Sequence, residues 1–289
     1  MYAKSPNGAV LEQRNAPAGR QRDLRISCSD MESPPHADSA ASVPLTTTLE
    51  AIEGVEGWLT RAQATRLWRA ANQVPAAGQI VEIGSFRGRS TTVLSLGSSS
   101  DVRVFAVDPF LGSDRGPQEI SEDRDRGEAD MALFTGQMAR AGLSDRVTLI
   151  RQRSGAMAAL DGVTGRIDLL YIDGAHRYAP ARDDIARWGD RVRSDGGLML
   201  IHDAFSSIGV TLASMRLLFA SSRWLYVGRD GSLAQYCATT LSHRQRASNA
   251  ARQTAQLGLF ARNLVIKLLI TAKLGRLTRV FGHDGSWPY

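Results

Sequence analysis

Cysteine and long uncharged apolar runs are what this 289-residue sequence largely lacks. Its two cysteines, Cys28 and Cys237, are too far apart to form a metal-binding or redox pair of familiar spacing. We therefore expect no disulfide and take a reducing, cytoplasmic setting as the default. The first 48 residues contain no apolar run long enough for a signal peptide. A membrane-spanning helix is also not expected, because Lys267 and Lys273 interrupt the apolar run near the C-terminus.

The charge is basic overall, since 35 Lys and Arg against 29 Asp and Glu give a formal net charge of +6. This balance permits contact with nucleic acid, anionic lipid or an acidic substrate without choosing among them. Hydrophobic residues make up 43% of the chain, which is ample for a buried core. Most of the chain is therefore expected to be globular.

The chain divides into three segments by composition. Residues 1–48 have scattered arginines and no hydrophobic period, which predicts a disordered leader, and Met31 is a second candidate for the start of the protein. Residues 49–242 form the predicted domain. Residues 243–289 form a predicted basic, amphipathic helical tail.

Seven short apolar runs follow a predicted first helix, and most are separated by helix-like stretches. They are QIVEIG, VRVFAVD, RVTLI, IDLLYID, GGLMLIHD, RWLYVG and LAQYCAT. Runs that are apolar on both faces fit strands covered by helices on both sides. The pattern predicts an α/β domain with a doubly wound, mainly parallel, seven-stranded sheet and helices on both faces. Thr60 and Gln63 form a capping box for the helix that precedes the first strand.

The ends of the first two strands carry signals for a nucleoside. In VEIGSFRGRST, Gly84 and Gly88 precede a helix, and glycines there let a ligand approach the backbone closely. The second strand ends in Asp108, whose carboxylate can accept hydrogen bonds from ribose hydroxyls. A tight turn and a helix cap explain each signal singly, but together they favour a nucleoside site. Phe86 replaces the second glycine of Gly-x-Gly-x-x-Gly, which favours S-adenosylmethionine over NAD.

Five motifs in order along residues 52–239 carry a family resemblance: VEIGSFRGRSTTVLS, VFAVDPF, RVTLIRQRS, IDLLYIDGAHRYAPARDDIARW and DGGLMLIHD. The chain resembles the class I S-adenosylmethionine-dependent methyltransferases, within them the bacterial group similar to macrocin and other sugar O-methyltransferases. The resemblance implies the Rossmann-like methyltransferase fold. It also implies a set of cofactor-binding residues, namely Glu82, Gly84, Ser85 and Gly88 at the methionine and ribose, Asp108 at the ribose hydroxyls and Ser154 beside the adenine. Relatives commonly read Gly-Asp-Ser where this chain has Gln152-Arg153-Ser154, so an adenine-side acid is missing.

The resemblance also implies where the reacting groups lie. Catechol-type O-methyltransferases place one acid after the fourth strand, an acidic pair after the fifth, and a proton-accepting lysine three residues after the first acid. Asp173 fits the first position and His176 the lysine position. We expect His176 to be the general base, acting with Asp173, because an imidazole accepts a proton at neutral pH. The alternative for His176 is a surface loop histidine.

A divalent metal ion is a further candidate cofactor, with Asp173, His202 and Asp203 as ligands. His202 weakens a magnesium site, because that ion prefers oxygen ligands, and suits zinc or manganese better. The alternatives are a strand-end hydrogen bond for His202 and a helix cap for Asp203. Asp184, in the next helix, is expected to make a supporting hydrogen bond rather than to react.

The composition of the tail indicates which partners it could bind. Between Ala238 and Gly282 there are eight Lys and Arg residues and no Asp or Glu. Residues 243–282 predict attachment to an anionic membrane surface, peripheral on its inner face. Packing on the same domain, or on a second subunit of an oligomer, is the alternative. Nucleic acid is not expected as a partner, because the tail has no spaced aromatic residues for stacking.

Together these motifs predict an S-adenosylmethionine-dependent O-methyltransferase. The expected acceptor is a hydroxyl of a small molecule or glycan, with a glycolipid sugar as one candidate. The alternative is a nucleotide-binding or membrane-attached protein that has the fold but no catalysis. The intact glycine turn and Asp108 favour the enzyme.

Overall fold

A computed structural model describes residues 42–113 and 121–283 and contains one seven-stranded sheet. Its strands are β1 (Gln79–Ile83), β2 (Arg103–Val107), β3 (Val147–Ile150), β4 (Leu169–Ile172), β5 (Leu198–Ile201), β6 (Trp224–Asp230) and β7 (Leu233–Ala238). Their order is β3-β2-β1-β4-β5-β7-β6, and only β7 runs against its neighbours. The predicted, mainly parallel seven-stranded sheet is confirmed.

Helices flank both faces of the sheet. Within the described ranges they are α1 (Leu45–Ala51), α2 (Arg61–Asn72), α3 (Arg89–Gly97), α4 (Arg124–Arg140), α5 (Met157–Gly162), α6 (Tyr178–Gly189), α7 (Ile208–Leu217), α8 (His243–Ala255) and α9 (Leu257–Thr271), with a 3₁₀ helix at Gly275–Phe281. The predicted capping box is present at the start of α2, where Thr60 and Gln63 bond reciprocally. The Rossmann-like architecture with a helical C-terminal region is confirmed.

The predicted end of the leader at residue 48 is wrong. Helix α1 begins at Leu45, and Thr48 within it is fully buried. Trp68 of α2 donates its indole N–H to the carbonyl of Val43 at 3.0 Å, which ties this segment to the domain. Residues 1–41 lie outside the described part of the chain.

The core consists of apolar layers on the two faces of the sheet. Leu170 of β4 packs with Trp188 of α6 on one face, and its neighbour Leu169 packs with Leu67 of α2 on the other. All three central strands, β1, β4 and β5, are buried along their whole length. Since both faces are covered, the polar ends of these strands become the natural place for a ligand.

Cys237 lies buried in β7 and is disulfide-bonded. The expectation that the cysteines form no disulfide is therefore wrong for this residue, and Cys28 lies outside the described residues.

The tail packs on its own domain along one side. Asn249 of α8 accepts a hydrogen bond from the N–H of Tyr226 at 2.8 Å and donates one to the carbonyl of Trp224 at 3.0 Å. Ile266 of α9 is fully buried. No helix in the described ranges is long and apolar enough to cross a bilayer.

Asn249→Ala is expected to destabilise the fold by about 2 kcal/mol, because two buried backbone groups of β6 lose their partner. Urea unfolding followed by circular dichroism measures the change. The control is Ser248→Ala, an exposed position on the same helix. Equal stability of the two variants would contradict a structural role for the contact between α8 and β6.

Candidate active site

A cavity of about 640 Å³ lies at the carboxyl ends of β1, β2, β4 and β5. It sits at the topological switch point, where the chain leaves β1 for β2 on one side and reaches β4 on the other. The predicted site residues on its wall are Gly84, Ser85, Asp108, Ser154, Asp173, His176, His202 and Asp203. The volume is within the range of small-molecule and cofactor sites.

A positive φ angle and a close contact explain each glycine of the first loop. Gly84 has φ +83°, and a Cβ there would lie 2.1 Å from the carbonyl oxygen of Asp173. Gly88 has φ +82° and begins α3, and a Cβ there would lie 2.8 Å from Met138 Cε. Any side chain at Gly84 would therefore push apart the ends of β1 and β4, which form the floor of the cavity.

Asp108 holds the shape of the same loop. Its Oδ2 accepts hydrogen bonds from the N–H groups of Ser85 and Phe86 at 2.8 and 3.0 Å, and its Oδ1 accepts one from Phe110 at 2.7 Å. Burial raises the pKa of Asp108, and these three bonds oppose the rise. Oδ1 retains a lone pair, so Asp108 can still accept a hydrogen bond from a ligand on the cavity wall.

Glu82 lies behind the loop and does not line the cavity. It is fully buried and accepts hydrogen bonds from the hydroxyls of Ser90 and Thr91 at the start of α3. Burial raises the pKa of Glu82 to about 7, although the hydroxyl groups lower it. Its predicted contact with the cofactor stays a prediction, whereas its contact with α3 is direct.

Ser154 is held on the cavity wall by α6. Its carbonyl accepts a hydrogen bond from the indole N–H of Trp188 at 3.1 Å, and its side chain hydrogen-bonds Asp184. Burial raises the pKa of Asp184 to about 7. Asp184 thus makes the supporting hydrogen bond expected from the sequence.

Asp173, His176, His202 and Asp203 meet at the ends of β4 and β5. His176 Nε2 lies 2.8 Å from Asp203 Oδ2. Burial lowers the pKa of His176, but the hydrogen bond and charge of Asp203 outweigh it and leave the pKa raised. The hydroxyl of Ser207 donates to the carbonyl of His176 at 3.1 Å, which anchors the loop that carries the imidazole.

His202 lies beneath this pair, with Nδ1 3.2 Å from Asp173 Oδ1 and 3.7 Å from Asp203 Oδ2. Burial lowers the pKa of His202, but the two carboxylates raise it well above its usual range. Burial raises the pKa of Asp203, yet the two histidines hold it well below its usual range. The charge of the two acids thus favours the protonated form of His202.

A group that could ligate a metal shares two members with the predicted set. One ligand atom from each of Asp173, His176 and Asp203 lies within 4.8 Å of the others. The predicted set, with His202 as the third member, stays a prediction. Two carboxylates and one imidazole suit manganese or zinc better than magnesium.

Two residues of the site were not predicted. Tyr171 donates its hydroxyl to Asp173 Oδ2 at 2.9 Å, and Trp58 packs against Phe86 with ring centroids 5.2 Å apart on the cavity wall. Tyr171 resembles any other apolar residue of its strand, so the sequence held no signal for it. The indole of Trp58 reaches the cavity from the loop before α2. No local sequence pattern predicts that this loop contributes to the site.

Comparison with known proteins places a methyltransferase domain over this region. Residues 81–204 match the family model described as "Methyltransferase domain". This match bears out the predicted methyltransferase class for residues 81–204, which make up less than half of the chain. It does not test the sugar O-methyltransferase group, which stays a prediction.

Solved structures of methyltransferases are similar to this chain at low identity. An O-methyltransferase from Bacillus cereus in complex with SAH is 20% identical, over 67% of this chain and 90% of that chain, with a TM-score of 0.47. The O-methyltransferase TomG from Streptomyces achromogenes, involved in tomaymycin synthesis and in complex with SAM, is 16% identical, over 68% and 89%, with a TM-score of 0.47. At these values neither likeness says anything about the acceptor of this protein.

Glu82→Gln is expected to change stability in a pH-dependent way. Folded Glu82 keeps its proton up to about pH 7, whereas the unfolded chain loses it near pH 4.5, so the wild type loses this stabilisation as pH rises between the two. Gln has no such loss, so the variant should gain about 2 kcal/mol relative to wild type between pH 5 and pH 8.

Urea unfolding at the two pH values measures that gain. The exposed Glu53→Gln is the control, and its difference from wild type should be the same at both. A constant difference for Glu82→Gln as well would show that the carboxyl group is not held protonated by the fold.

Proposed function

With residues 81–204 forming a methyltransferase domain, we propose that this protein transfers the methyl group of S-adenosylmethionine to a hydroxyl oxygen, with His176 as general base. The acceptor proposed is a small molecule or a glycan, with a glycolipid sugar as one candidate. The observation that carries the proposal is the 2.8 Å contact between His176 Nε2 and Asp203 Oδ2 on the cavity wall. An imidazole oriented by a buried carboxylate is the usual form of a general base in proteins.

The cofactor fits the side of the cavity formed by β1 and β2. Gly84 and Ser85 offer a loop without obstructing side chains, Asp108 offers acceptors for ribose hydroxyls, and Ser154 lies on the same wall. When bound, S-adenosylmethionine supplies an electrophilic methyl group. The protein must then align the acceptor oxygen with that methyl group and remove its proton.

His176 and Asp203 meet that demand. In neutral His176, Nε2–H donates to Asp203 and Nδ1 is able to take the proton of the acceptor hydroxyl. The imidazolium that results is stabilised by the carboxylate of Asp203, which does not itself need the proton. Trp58 and Phe86 add an apolar wall against which the body of an acceptor can pack.

His176→Gln is expected to lower turnover about a hundredfold or more, because the acceptor keeps its proton, and to leave cofactor affinity nearly unchanged. Transfer of labelled methyl from S-adenosylmethionine to a lipid and glycan extract of the source cells measures turnover, and calorimetry measures affinity. His243→Gln, exposed on α8, is the control.

Turnover equal to that of the control would exclude His176 as the base. Absence of cofactor binding at millimolar S-adenosylmethionine would overturn the enzyme itself and favour the alternative, a non-catalytic protein with this fold.

A metal-dependent version of the same reaction is supported by one observation, the grouping of Asp173, His176 and Asp203. In the base mechanism Asp203 already engages Nε2 of His176, so activity should survive exhaustive EDTA treatment. The transfer assay before and after chelation decides between the two. Lost activity that returns with Mn²⁺ or Zn²⁺ would make these three residues metal ligands instead.

A further inference from the structure

On helix α9, some polar side chains face the domain while some apolar side chains face outward. Asn263 faces inward and donates to the carbonyl of Phe205 at 3.3 Å, and Lys267 Nζ donates to the carbonyl and hydroxyl of Ser206 at 3.0 and 3.2 Å. Val265 and Leu268 lie outward, and Leu268 is 61% exposed. A helix on the surface of a globular domain normally shows the opposite arrangement, so the outward side of α9 calls for an apolar partner.

The chain after α9 continues this apolar surface. We define the C-terminal patch as the exposed side chains Val265, Leu268, Leu274, Leu277, Val280 and Phe281, of which Val280 is 81% exposed. Lys273 lies just before the 3₁₀ helix, and Arg276 and Arg279 lie within it between members of the patch. The sequence has no acid between Asp230 and Asp284. Along the described part of the tail, the apolar residues are therefore interspersed with cations and not with acids.

We propose that the C-terminal patch docks on the surface of an anionic lipid bilayer. Its apolar side chains would enter the boundary between headgroups and acyl chains, and its cations would pair with lipid phosphates. A second copy of this chain fits less well, because a symmetric contact would bring the same cations face to face. The docking itself does not depend on the proposed methyl transfer.

The docking helix is joined to the active site by one short loop. Lys267 and Asn263 hold residues 205 and 206, which lie two and three positions after the cavity-lining Asp203. The next residue, Ser207, donates to the carbonyl of His176. A docked α9 would thus fix the distance and orientation of the cavity relative to the bilayer. A lipid-linked acceptor could then reach the cavity from the membrane, and this last step rests on the proposed function.

Helix α7 starts at the same loop and adds a second apolar strip. Ile208, Leu212 and Met215 are exposed and recur at four and three residues, so they share one side of the helix. Tyr178, at the start of α6, is exposed beside the cavity-lining Arg177. Apolar side chains are therefore exposed both at the helix that docks and at elements that border the cavity.

Co-sedimentation of the full chain with vesicles tests the docking. Vesicles of phosphatidylcholine with about 30% phosphatidylglycerol are compared with phosphatidylcholine alone, at low salt and at 0.5 M NaCl. We expect binding to the anionic vesicles that weakens with salt. Leu268→Ser with Leu277→Ser should lower the partition coefficient at least about tenfold. The control pair is Leu133→Ser with Met157→Ser, exposed at 46% and 66% on α4 and α5.

Charge reversal is a second, independent test of the docking, because it leaves the apolar side chains of the patch unchanged. Arg276→Glu with Arg279→Glu should lower binding at least about tenfold, whereas Arg61→Glu with Arg69→Glu makes the same change in net charge on exposed positions of α2 and should lower it much less. Circular dichroism checks that each variant is folded.

Equal binding by both charge-reversed proteins, or no binding to anionic vesicles by the wild type, would overturn the proposal. So would a dimer in sedimentation velocity that the Leu268 and Leu277 substitutions dissociate while vesicle binding is unchanged. That result would assign the patch to contact between copies of the chain.

Discussion

The buried carboxylate of Asp203 is the constraint on which the active-site side of the molecule depends. It lies at the end of β5, is 4% exposed, and faces His176 and His202 at the same time. An unpaired charge at this depth would be strongly destabilising, so the two imidazoles must stay in place. The loop that follows it receives hydrogen bonds from α9, and thus the tail, the fifth strand and the candidate base form one connected unit.

Strained backbone is concentrated around the same cavity. Four bulky or charged residues there have positive φ: Phe86 (47°), Phe110 (49°), Asp203 (55°) and Phe205 (61°). Each such residue costs about 1–3 kcal/mol, so the surrounding contacts must compensate. For the first two, the amide bonds to Asp108 do so. Phe205 is fully buried among apolar residues. These backbone conformations determine the directions of the loops that form the cavity wall.

The features that could be predicted from the sequence are those that depend on residues close together in the chain. Apolar runs of four to eight residues predicted all seven strands, and Thr60 with Gln63 predicted the start of α2. The glycine turn and Asp108 were predicted as one unit, and the loop amides do bind that carboxylate. The leader boundary was wrong because Thr48 is polar in sequence yet buried by contact with the domain. The predicted metal set with His202 stays a prediction, and adjacency in sequence gave no sign that His176 would lie within 4.8 Å of the same two acids.

Local residue patterns account for the alternation of strands and helices, the glycines at the first turn and the acid-free tail, because each follows from the residue types within a few positions. Which groups meet depends on the folding of distant segments onto one another. Asp203 is 27 residues from His176, and Lys267 is 61 residues from Ser206, yet both pairs are in contact. The same folding also turns Lys267 of α9 inward and Leu268 outward, since the burial of a side chain depends on the surface that lies opposite it.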